Sequence, residues 1–446
     1  MNVDVLIAGA GPAGLAAAIE LRRRGVGDVL VVDRELQAGG IPRHCAHTGY
    51  GIRDLHRLMT GPAYARHYRW AASAAGVSVR AGTTLIGWPA VGSDLGAGGE
   101  VVPDNSAPAR QRGTISATLT SQAGIEDVQA RAVLLATGCR ERPRSARLVP
   151  GSRPAGVLTT GELQQRVFLH GERLTGRAVV VGAEHVSFSA MLTLRHAGAQ
   201  VTALVTDQPR HQSFAAFRLG AQLRWRVPVW TRTTVAGIAG RDEISAIMLR
   251  DDRDGSVRAV PCELVVFSGD WIPDHELARL AGAELDPGTR GPAVDTALST
   301  SIPGMFAAGN LVHAAETADV AALSGRHAAA QIAAYLAGQR SSASATPAGM
   351  ADPVTGCWLP VPVTVAEPLL WISPNAINPT SPEPPRGQFV LRAGAFAGRA
   401  RLEVRQDGRL LKSSHARLVP GRSIRLDGRW ARYVDPAGGP VQVTAL

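Results

Sequence analysis

The stretch of sequence that decides the fold lies at the start of the chain, where residues 3–14 read VDVLIAGAGPAG. The apolar run Val3–Ala8 predicts a strand, the glycines predict a tight turn, and the apolar pattern of Pro12–Arg24 predicts a helix. A second predicted strand ends at Asp33, 24 positions after the first glycine. This order is typical of a dinucleotide-binding, Rossmann-like domain, in which an acid at the end of the second strand accepts a hydrogen bond from a ribose hydroxyl.

The three glycines of this motif have different roles in such a domain. Gly9 makes the tight turn, Gly11 lets the backbone approach a pyrophosphate, and Gly14 lets the helix pack closely on the strand. The N-terminus of the helix stabilises the phosphate charge. The predicted nucleotide-binding residues of this segment are Gly9, Gly11, Pro12, Ala13, Gly14, Asp33 and Arg34.

A second strand–turn–helix pattern is offset from the first by about 173 positions, and its turn reads GAEHVS over residues 182–187. Glu184 therefore stands where Gly11 stands in the first motif. Its carboxylate adds negative charge where a pyrophosphate would bind, which opposes binding. Thr206 takes the position of Asp33. Two alternatives remain. The segment is either a weak or altered NAD(P)H site, or a retained fold that has lost its nucleotide site. The roles of the glycines favour the second alternative.

Two later segments favour FAD as the dinucleotide of the first domain. Residues 134–138 read LLATG, a buried strand predicted to end beneath the nucleotide. Residues 304–310 read GMFAAGN, a strand followed by a polar residue that can bind the ribityl or phosphate part of a flavin. These segments add to the predicted flavin site Ala136, Thr137, Gly138, Gly309 and Asn310.

Taken together, the motifs resemble the FAD-dependent pyridine nucleotide-disulphide oxidoreductase superfamily over about residues 1–340. The resemblance implies an α/β fold with two Rossmann-like, three-layer domains, the second inserted in the first. It implies FAD on the first domain and the flavin ring at the junction of the two. It also implies that the loop containing Gly40 runs past the ring, and that a last, alanine-rich helix directs its N-terminus, at Ala318, toward the pyrimidine edge of the flavin.

A narrower resemblance lies in four segments: 39–45, 58–64, 137–144 and 182–189. These are similar to flavoprotein subunits of multi-subunit enzymes, of the type of the opine oxidase A subunit and the hydrogen cyanide synthase B subunit. The resemblance implies a small-molecule substrate and a second dehydrogenase subunit or an electron-acceptor protein as partner. Some such subunits carry a cysteine-rich iron–sulfur module after the flavin domains. The tail of this chain has no cysteine pair, which argues against that route of electron transfer.

His44, Cys45 and His47 stand together in the loop after Gly40 and are the candidate catalytic residues. No second cysteine lies nearby, so the sequence does not predict dithiol chemistry. His-Cys-x-His alone is too cramped to supply a metal site, so none is predicted. One hypothesis is that a histidine acts as an acid–base group beside the flavin. The alternative, which we favour, is that the histidines hydrogen-bond the cofactor or the loop backbone.

The chain of 446 residues has room for several domains. The predicted division is 1–150 with 262–338 as the FAD-binding domain, 151–261 as the NAD(P)-binding-like domain, 339–352 as a linker, and 353–446 as a small C-terminal β-domain. The tail is predicted to be β because short runs alternate in polarity and Asp407-Gly408 is a hairpin signal. Residues 92–113 are of low complexity and predict a loop.

The formal net charge of +10 comes almost entirely from arginines spread along the chain, and aromatic residues make up only 5%. Nucleic-acid binding would require clustered cations among aromatic residues, so no nucleic-acid partner is predicted. The apolar stretch Val3–Leu21 is broken by three glycines and a proline, and no other stretch approaches the length of a membrane span. The sequence predicts a soluble, cytoplasmic protein.

The sequence therefore predicts an FAD-dependent oxidoreductase. We expect it to be the flavoprotein subunit of a dehydrogenase or oxidase that acts on an amine, an amino-acid derivative or a hydroxy acid. One alternative is a stand-alone NAD(P)H-dependent reductase of a small acceptor. Another is a non-catalytic FAD-containing scaffold that binds a catalytic partner.

Overall fold

The computed structural model describes residues 1–89, 110–111, 113–341 and 360–446. The elements up to Leu135 are β1 (Asn2–Ala8), α1 (Pro12–Arg23), β2 (Val29–Asp33), β3 (Thr48–Tyr50), β4 (Met59–Thr60), α2 (Gly61–Ala74), β5 (Ser78–Ala81), β6 (Thr84–Gly87), β7 (Arg110–Gln111), β8 (Thr114–Ser121) and β9 (Gly124–Leu135). Most of the predicted loop 92–113 lies outside the described residues.

The middle of the chain forms β10 (Cys139–Glu141), β11 (Val157–Thr159), α3 (Thr160–Phe168), β12 (Arg177–Val181), α4 (His185–Ala197), β13 (Gln200–Val205), α5 (Ala215–Leu219), β14 (Val229–Trp230), β15 (Thr233–Gly240), β16 (Ile244–Asp251), β17 (Val257–Pro261) and β18 (Leu264–Phe267).

The remaining elements are β19 (Trp271–Pro273), α6 (Glu276–Leu280), β20 (Met305–Ala307), α7 (Ala318–Ser341), β21 (Val361–Val365), β22 (Leu369–Ser373), β23 (Ala376–Ile377), β24 (Gln388–Ala393), β25 (Ala397–Gln406), β26 (Arg409–Leu418), β27 (Ile424–Asp427) and β28 (Val441–Ala445).

The chain divides into two compact units. The first contains Met1–Arg43, Thr48–Cys139 and Pro273–Leu446, and the second contains His44–His47 and Arg140–Ile272. This division places the C-terminal β region in the same unit as the first glycine motif. The domain boundaries given above from the sequence remain a prediction.

The main sheet of the first unit has the strand order β5-β2-β1-β9-β8-β6. Strands β5, β2, β1 and β9 are parallel, whereas β8 runs antiparallel to β9. Val5, Leu6 and Ile7 in β1 are fully buried, as expected for a strand covered on both faces. Strand β20 pairs in parallel with β9, so the chain returns after residue 272 to the sheet it left. Helices α1 and α7 cross closely at Gly325, where a Cβ would lie 2.0 Å from the carbonyl oxygen of Ala13.

The C-terminal part of the first unit, residues 360–446, contains a five-stranded sheet (β23-β21-β28-β25-β26) and a three-stranded sheet (β22-β24-β27) around an apolar core of its own. The predicted hairpin is confirmed. Gln406 pairs with Arg409, and both Asp407 and Gly408 between them have positive φ, as a type I′ turn requires.

The second unit contains three layers. Its central sheet, β11-β18-β12-β13-β14, is entirely parallel. Side chains alternate along β12, so that Ala178 and Val180 pack against α3 and α4, whereas Val179 faces the antiparallel sheet β15-β16-β17. This alternation explains why the apolar run of β12 has no polar face in the sequence.

The start of α2 is set by its cap, and the end of α7 differs from the boundary predicted. Helix α2 begins at Gly61, because the Thr60 hydroxyl accepts the N–H of Ala63 at 3.4 Å and a proline occupies the first turn. Helix α7 extends to Ser341, so residues 339–341 of the predicted linker are helical, and the rest of that linker lies outside the described residues. Among the helices that are described, none is both long and apolar enough to cross a membrane.

Candidate functional site

The glycines of the first motif have different surroundings. The difference reveals an open space beside Gly11, here called the cradle. A Cβ on Gly9 would lie 2.4 Å from the carbonyl oxygen of Ala136, and a Cβ on Gly14 would lie 1.9 Å from that of Gly9. The fold itself therefore requires glycine at both positions. A Cβ on Gly11 would meet only the Cα of Gly40, at 4.0 Å. The protein leaves this space open at the N-terminus of α1, where it fits a pyrophosphate.

The carboxylate of Asp33 lies at the end of β2 and folds onto the glycine turn. Its Oδ2 accepts the N–H of Ala10 at 2.7 Å, and its Oδ1 accepts the N–H of Glu35 at 2.9 Å. Each oxygen keeps a further lone pair that can accept from a ribose hydroxyl. Arg34 beside it is 72% exposed and lies 3.9 Å from a carboxylate oxygen of Asp274.

The segment after β9 is hydrogen-bonded to the segment that follows β19. The Thr137 hydroxyl donates to the carbonyl oxygen of Asp274 at 2.8 Å, and the N–H of Asp274 donates to the carbonyl oxygen of Gly138 at 2.9 Å. Gly138 has φ +80°, which favours glycine. These contacts hold the carboxyl end of β9 in place next to the cradle.

Asn310 has a structural role that the sequence did not reveal. Its Oδ1 accepts the N–H of Glu316 at 3.0 Å, and its Nδ2 donates to the carbonyl oxygen of Glu316 at 3.1 Å. An aspartate could not make the second bond. The amide thus fixes the loop that leads into α7, and one donor and one lone pair remain for a ligand. Gly309 before it has φ +72°, and a Cβ there would lie 2.8 Å from that of Ala13.

Sequence reasoning missed an ion pair at the start of α7. The Asp319 carboxylate is 1% exposed and accepts from the backbone N–H of Arg53 at 3.1 Å and from its guanidinium at 3.2 Å. The Thr317 hydroxyl donates to the same carboxylate. The pair joins residues 266 positions apart, so no local pattern could have predicted it. It anchors the first turn of α7, which contains Ala318.

A buried tyrosine cluster beneath this turn was also missed. The hydroxyls of Tyr64 and Tyr68 donate to one carboxylate oxygen of Asp54, at 2.6 and 2.7 Å. Tyr64 Oη also lies 3.3 Å from the carbonyl oxygen of Ala318. Burial is the main cause that raises the pKa of both tyrosines, so they stay protonated as donors. The cluster makes a rigid base under the start of α7.

The candidate catalytic residues belong to the second unit. Cys45 is buried, and its thiol donates to Oε1 of Gln164 at 3.1 Å; Nε2 of that glutamine donates to the hydroxyl of Ser189 at 3.0 Å. His44 is 2% exposed, whereas His47 is exposed. Their assignment as catalytic groups remains a prediction. No disulfide joins the three cysteines that are described, and the described residues contain no cluster suited to a metal ion.

In the second glycine motif, the Glu184 carboxylate occupies the turn itself. Its Oε2 accepts the N–H of Ala183 at 3.0 Å, and its Oε1 accepts the hydroxyl of Ser268. A Cβ on Gly182 would lie 2.9 Å from Oε2, and one on Gly269 would lie 2.8 Å from Oε1. The carboxylate thus fills the space over the turn where a pyrophosphate would need to approach. These residues do not fit NAD(P)H.

A second carboxylate lies close to Glu184. Glu141 is 6% exposed, and its Oε2 accepts the N–H of Gly161 at 2.8 Å. Burial is the main cause that raises the pKa of Glu141 to about 7, and the charge of Glu184 contributes to the same shift. At the position of the ribose acid, Thr206 is 5% exposed and accepts the N–H of Gln208 at 3.3 Å. The negative charge of Glu141 opposes an anionic nucleotide, and the threonine provides no carboxylate to accept from the ribose hydroxyls.

The chain is similar in sequence to one protein family and to subunits of known oxidases. The profile of the pyridine nucleotide-disulphide oxidoreductase family matches residues 3–325. The opine oxidase A subunit of Agrobacterium tumefaciens (strain Ach5) is 28% identical over 73% of this chain and 64% of that protein. The sarcosine oxidase alpha subunit of Corynebacterium sp. (strain P-1) is 27% identical over 61% of this chain and 27% of that protein. The chain thus spans less than two thirds of the length of either relative.

Solved structures show the same fold. Thioredoxin reductase of T. acidophilum superposes with a TM-score of 0.59 and 20% identity, over 77% of this chain and 99% of that one. A NAD-dependent persulfide reductase from A. fulgidus gives a TM-score of 0.54 and 17% identity, over 96% of this chain and 72% of that one. The profile match covers well over half of the 446 residues. The chain therefore belongs to the pyridine nucleotide-disulphide oxidoreductase family, whose cofactor is FAD.

Proposed function

We propose that this chain is the flavoprotein subunit of a dehydrogenase or oxidase that acts on an amine, an amino-acid derivative or a hydroxy acid. The observation that carries the proposal is the contrast between the two glycine motifs. The first leaves an open cradle at Gly11, whereas the second is filled by the Glu184 carboxylate. A flavoprotein without a working nicotinamide site must take its electrons from another donor, such as an oxidisable substrate. Two relatives whose names describe them as oxidase subunits support this class.

The residues of the first unit have separate roles in holding FAD. Gly11 and the N-terminus of α1 hold the pyrophosphate, and Asp33 accepts from the ribose. Ala318 is the first residue of α7, so its N–H has no acceptor within the helix and is directed to the flavin pyrimidine edge. Asn310 and the Arg53–Asp319 pair fix that N–H in position. Bound FAD supplies the capacity to accept a hydride equivalent.

A histidine of the 44–47 segment can serve as the acid–base group of the proposed reaction, beside the hydrogen-bonding role that the sequence favours. His44 is buried whereas His47 is exposed, so only His47 exchanges protons readily with solvent. The buried Cys45 thiol is engaged with Gln164 and serves a packing role. His47 is thus our first choice for a proton carrier, with His44 as a group that positions the loop.

The test is to purify the tagged chain from its native host and to identify the proteins stably bound to it. The complex and the isolated chain are then mixed anaerobically with amines, N-substituted amino acids and hydroxy acids while flavin absorbance is followed. We expect a stably bound partner protein, and flavin reduction by one substrate class only in the complex. An isolated chain that turns over a small acceptor with NAD(P)H would establish the reductase alternative instead. Unchanged substrate oxidation in a complex assembled with a Gly11→Glu chain would establish the scaffold alternative.

A further inference from the structure

The loop between β20 and α7, residues 312–317, is held in a conformation that it would not favour alone. Ala315 has φ +65°, in the left-handed region that residues other than glycine rarely adopt. Asn310 holds Glu316 through two hydrogen bonds. A strained residue persists only where the surroundings fix it, so further contacts are expected to support this loop.

The C-terminal β region supplies that support through Arg392. This side chain is 8% exposed, and its Nη2 donates to the carbonyl oxygen of Ala314 at 3.0 Å while its Nη1 donates to the carbonyl oxygen of Gly421. The guanidinium lies over the ring of Trp371, 5.2 Å from the centroid. The same indole packs on the ring of His313, with centroids 5.3 Å apart. The planar fork of Arg392 therefore joins the loop to two parts of the β region.

A second contact joins the same partners. The Ser423 hydroxyl donates to a carboxylate oxygen of Glu316. Burial lowers the pKa of Arg392, and the charge of Glu316 opposes that shift. Charge and hydrogen bonds from residues 360–446 thus converge on the same loop that Asn310 holds.

The β region is also anchored away from the loop. Asn375 exchanges two hydrogen bonds with Val294, at 2.9 and 3.1 Å, and Asn378 Nδ2 donates to a carboxylate oxygen of Asp295 at 2.8 Å. These contacts do not involve Arg392. Loss of Arg392 is therefore expected to release the loop without detaching the β region.

We propose that the C-terminal β region is a clamp that sets the position and charge of the 312–317 loop, with Arg392 and Ser423 as its positioning residues. This inference rests on the proposed placement of Ala318 at the flavin pyrimidine edge. A fixed loop keeps the Ala318 N–H directed at the flavin, and the buried guanidinium favours the negative charge that develops there on reduction. The clamp thus tightens FAD binding and raises the reduction potential of the flavin.

The test compares the FAD-loaded full chain with Arg392→Met, which removes the charge and the donors but keeps an apolar stem. Hydrogen exchange of the 312–318 amides is measured first, and then the FAD dissociation constant and the flavin reduction potential. We expect exchange of these amides to rise about tenfold or more, weaker FAD binding and a more negative potential. Arg409→Met, at an exposed arginine of β26, should match wild type in all three. Arg392→Lys, which keeps the charge, should restore most of the potential.

Ser423→Ala provides an independent test, because it removes one partly buried hydroxyl and no apolar side chain of the core. It should move exchange and potential in the same direction by a smaller amount, and it decides the matter if Arg392→Met fails to fold. The clamp is refuted if folded variants match wild type in loop exchange and potential. It is also refuted if exchange rises throughout residues 360–446 while the potential stays unchanged, since that indicates a purely structural role. None of these measurements needs a substrate or partner, so they stand or fail separately from the proposed dehydrogenase activity.

Discussion

Replacement of Glu184 by glycine should open the second nucleotide site. The carboxylate now accepts the N–H of Ala183 and lies over Gly182, where a pyrophosphate would need to approach. Glycine at this position restores the second glycine of the pattern, whereas Ser187 still stands at the position of Gly14. Glu184 precedes the first turn of α4 without capping it through its side chain, so the substitution should cost the helix only a few tenths of a kcal/mol.

The size of the effect follows from Coulomb's law. A carboxylate about 4 Å from one phosphate charge, at an effective dielectric constant of about 20, costs about 4 kcal/mol. That energy corresponds to about a thousandfold in affinity. Glu184 is partly exposed, so water and salt reduce the repulsion. We therefore expect a gain in NADH or NADPH affinity of at least about tenfold at low salt.

The assay is direct calorimetric binding of NADH and NADPH to wild type, Glu184→Gly and Glu184→Gln. The glutamine variant removes the charge but keeps the side chain, so its affinity should lie between the other two. Gly11→Glu is the reciprocal change, since it places the same side chain at the corresponding position of the first motif, and it should abolish FAD retention. Tight nucleotide binding by wild type would refute the reasoning, and so would a folded Glu184→Gly protein that binds no better than wild type.

Three further predictions concern the cofactor, a buried acid and the loop cysteine. Wild type should release FAD and not FMN on denaturation, as identified by chromatography, whereas folded Gly11→Glu protein should be colourless; a yellow variant would contradict the assignment of the cradle. Burial raises the pKa of Glu141 from 4.5 to about 7, so its ionisation destabilises the folded state as pH rises through this range. Relative to wild type, Glu141→Gln should gain about 2 kcal/mol of unfolding free energy between pH 5.5 and pH 8, and a pH-independent difference in denaturant titrations would disprove the shift. Cys45→Ser should keep FAD and lower the rate of flavin reduction by the substrate only modestly, whereas His47→Ala or His44→Ala should lower it more; near-complete loss in the serine variant alone would make Cys45 a participant in the chemistry.

The sequence predicted those parts of the site whose residues lie close together along the chain. The first motif is one such case, because strand, turn and helix follow one another within residues 3–24 and each glycine has a local reason. The same logic predicted that Glu184 opposes a nucleotide. It did not predict that the carboxylate bonds Ala183 and Ser268, since Ser268 lies 84 positions away and only the parallel pairing of β12 with β18 brings it close.

The residues that sequence reasoning missed depend on contacts between distant segments. Arg53 and Asp319 lie in stretches with no motif, and they pair because the segment between β3 and β4 contacts the first turn of α7. Asn310 was predicted as a ligand for the flavin, but its bonds to Glu316 follow from the conformation of a loop that no periodicity specifies. The clamp at Arg392 is of the same kind, because a lone arginine in a strand is indistinguishable in sequence from a surface charge.

Anaerobic titration of the wild-type, FAD-loaded chain with NADH and with NADPH tests the central claim most directly. The claim is that this flavoprotein does not take electrons from a nicotinamide, because Glu184 fills the site where the nucleotide would bind. The account predicts that the absorbance of oxidised flavin persists with stoichiometric amounts of either nucleotide and bleaches on addition of dithionite. Rapid, stoichiometric bleaching by NADH or NADPH would contradict it.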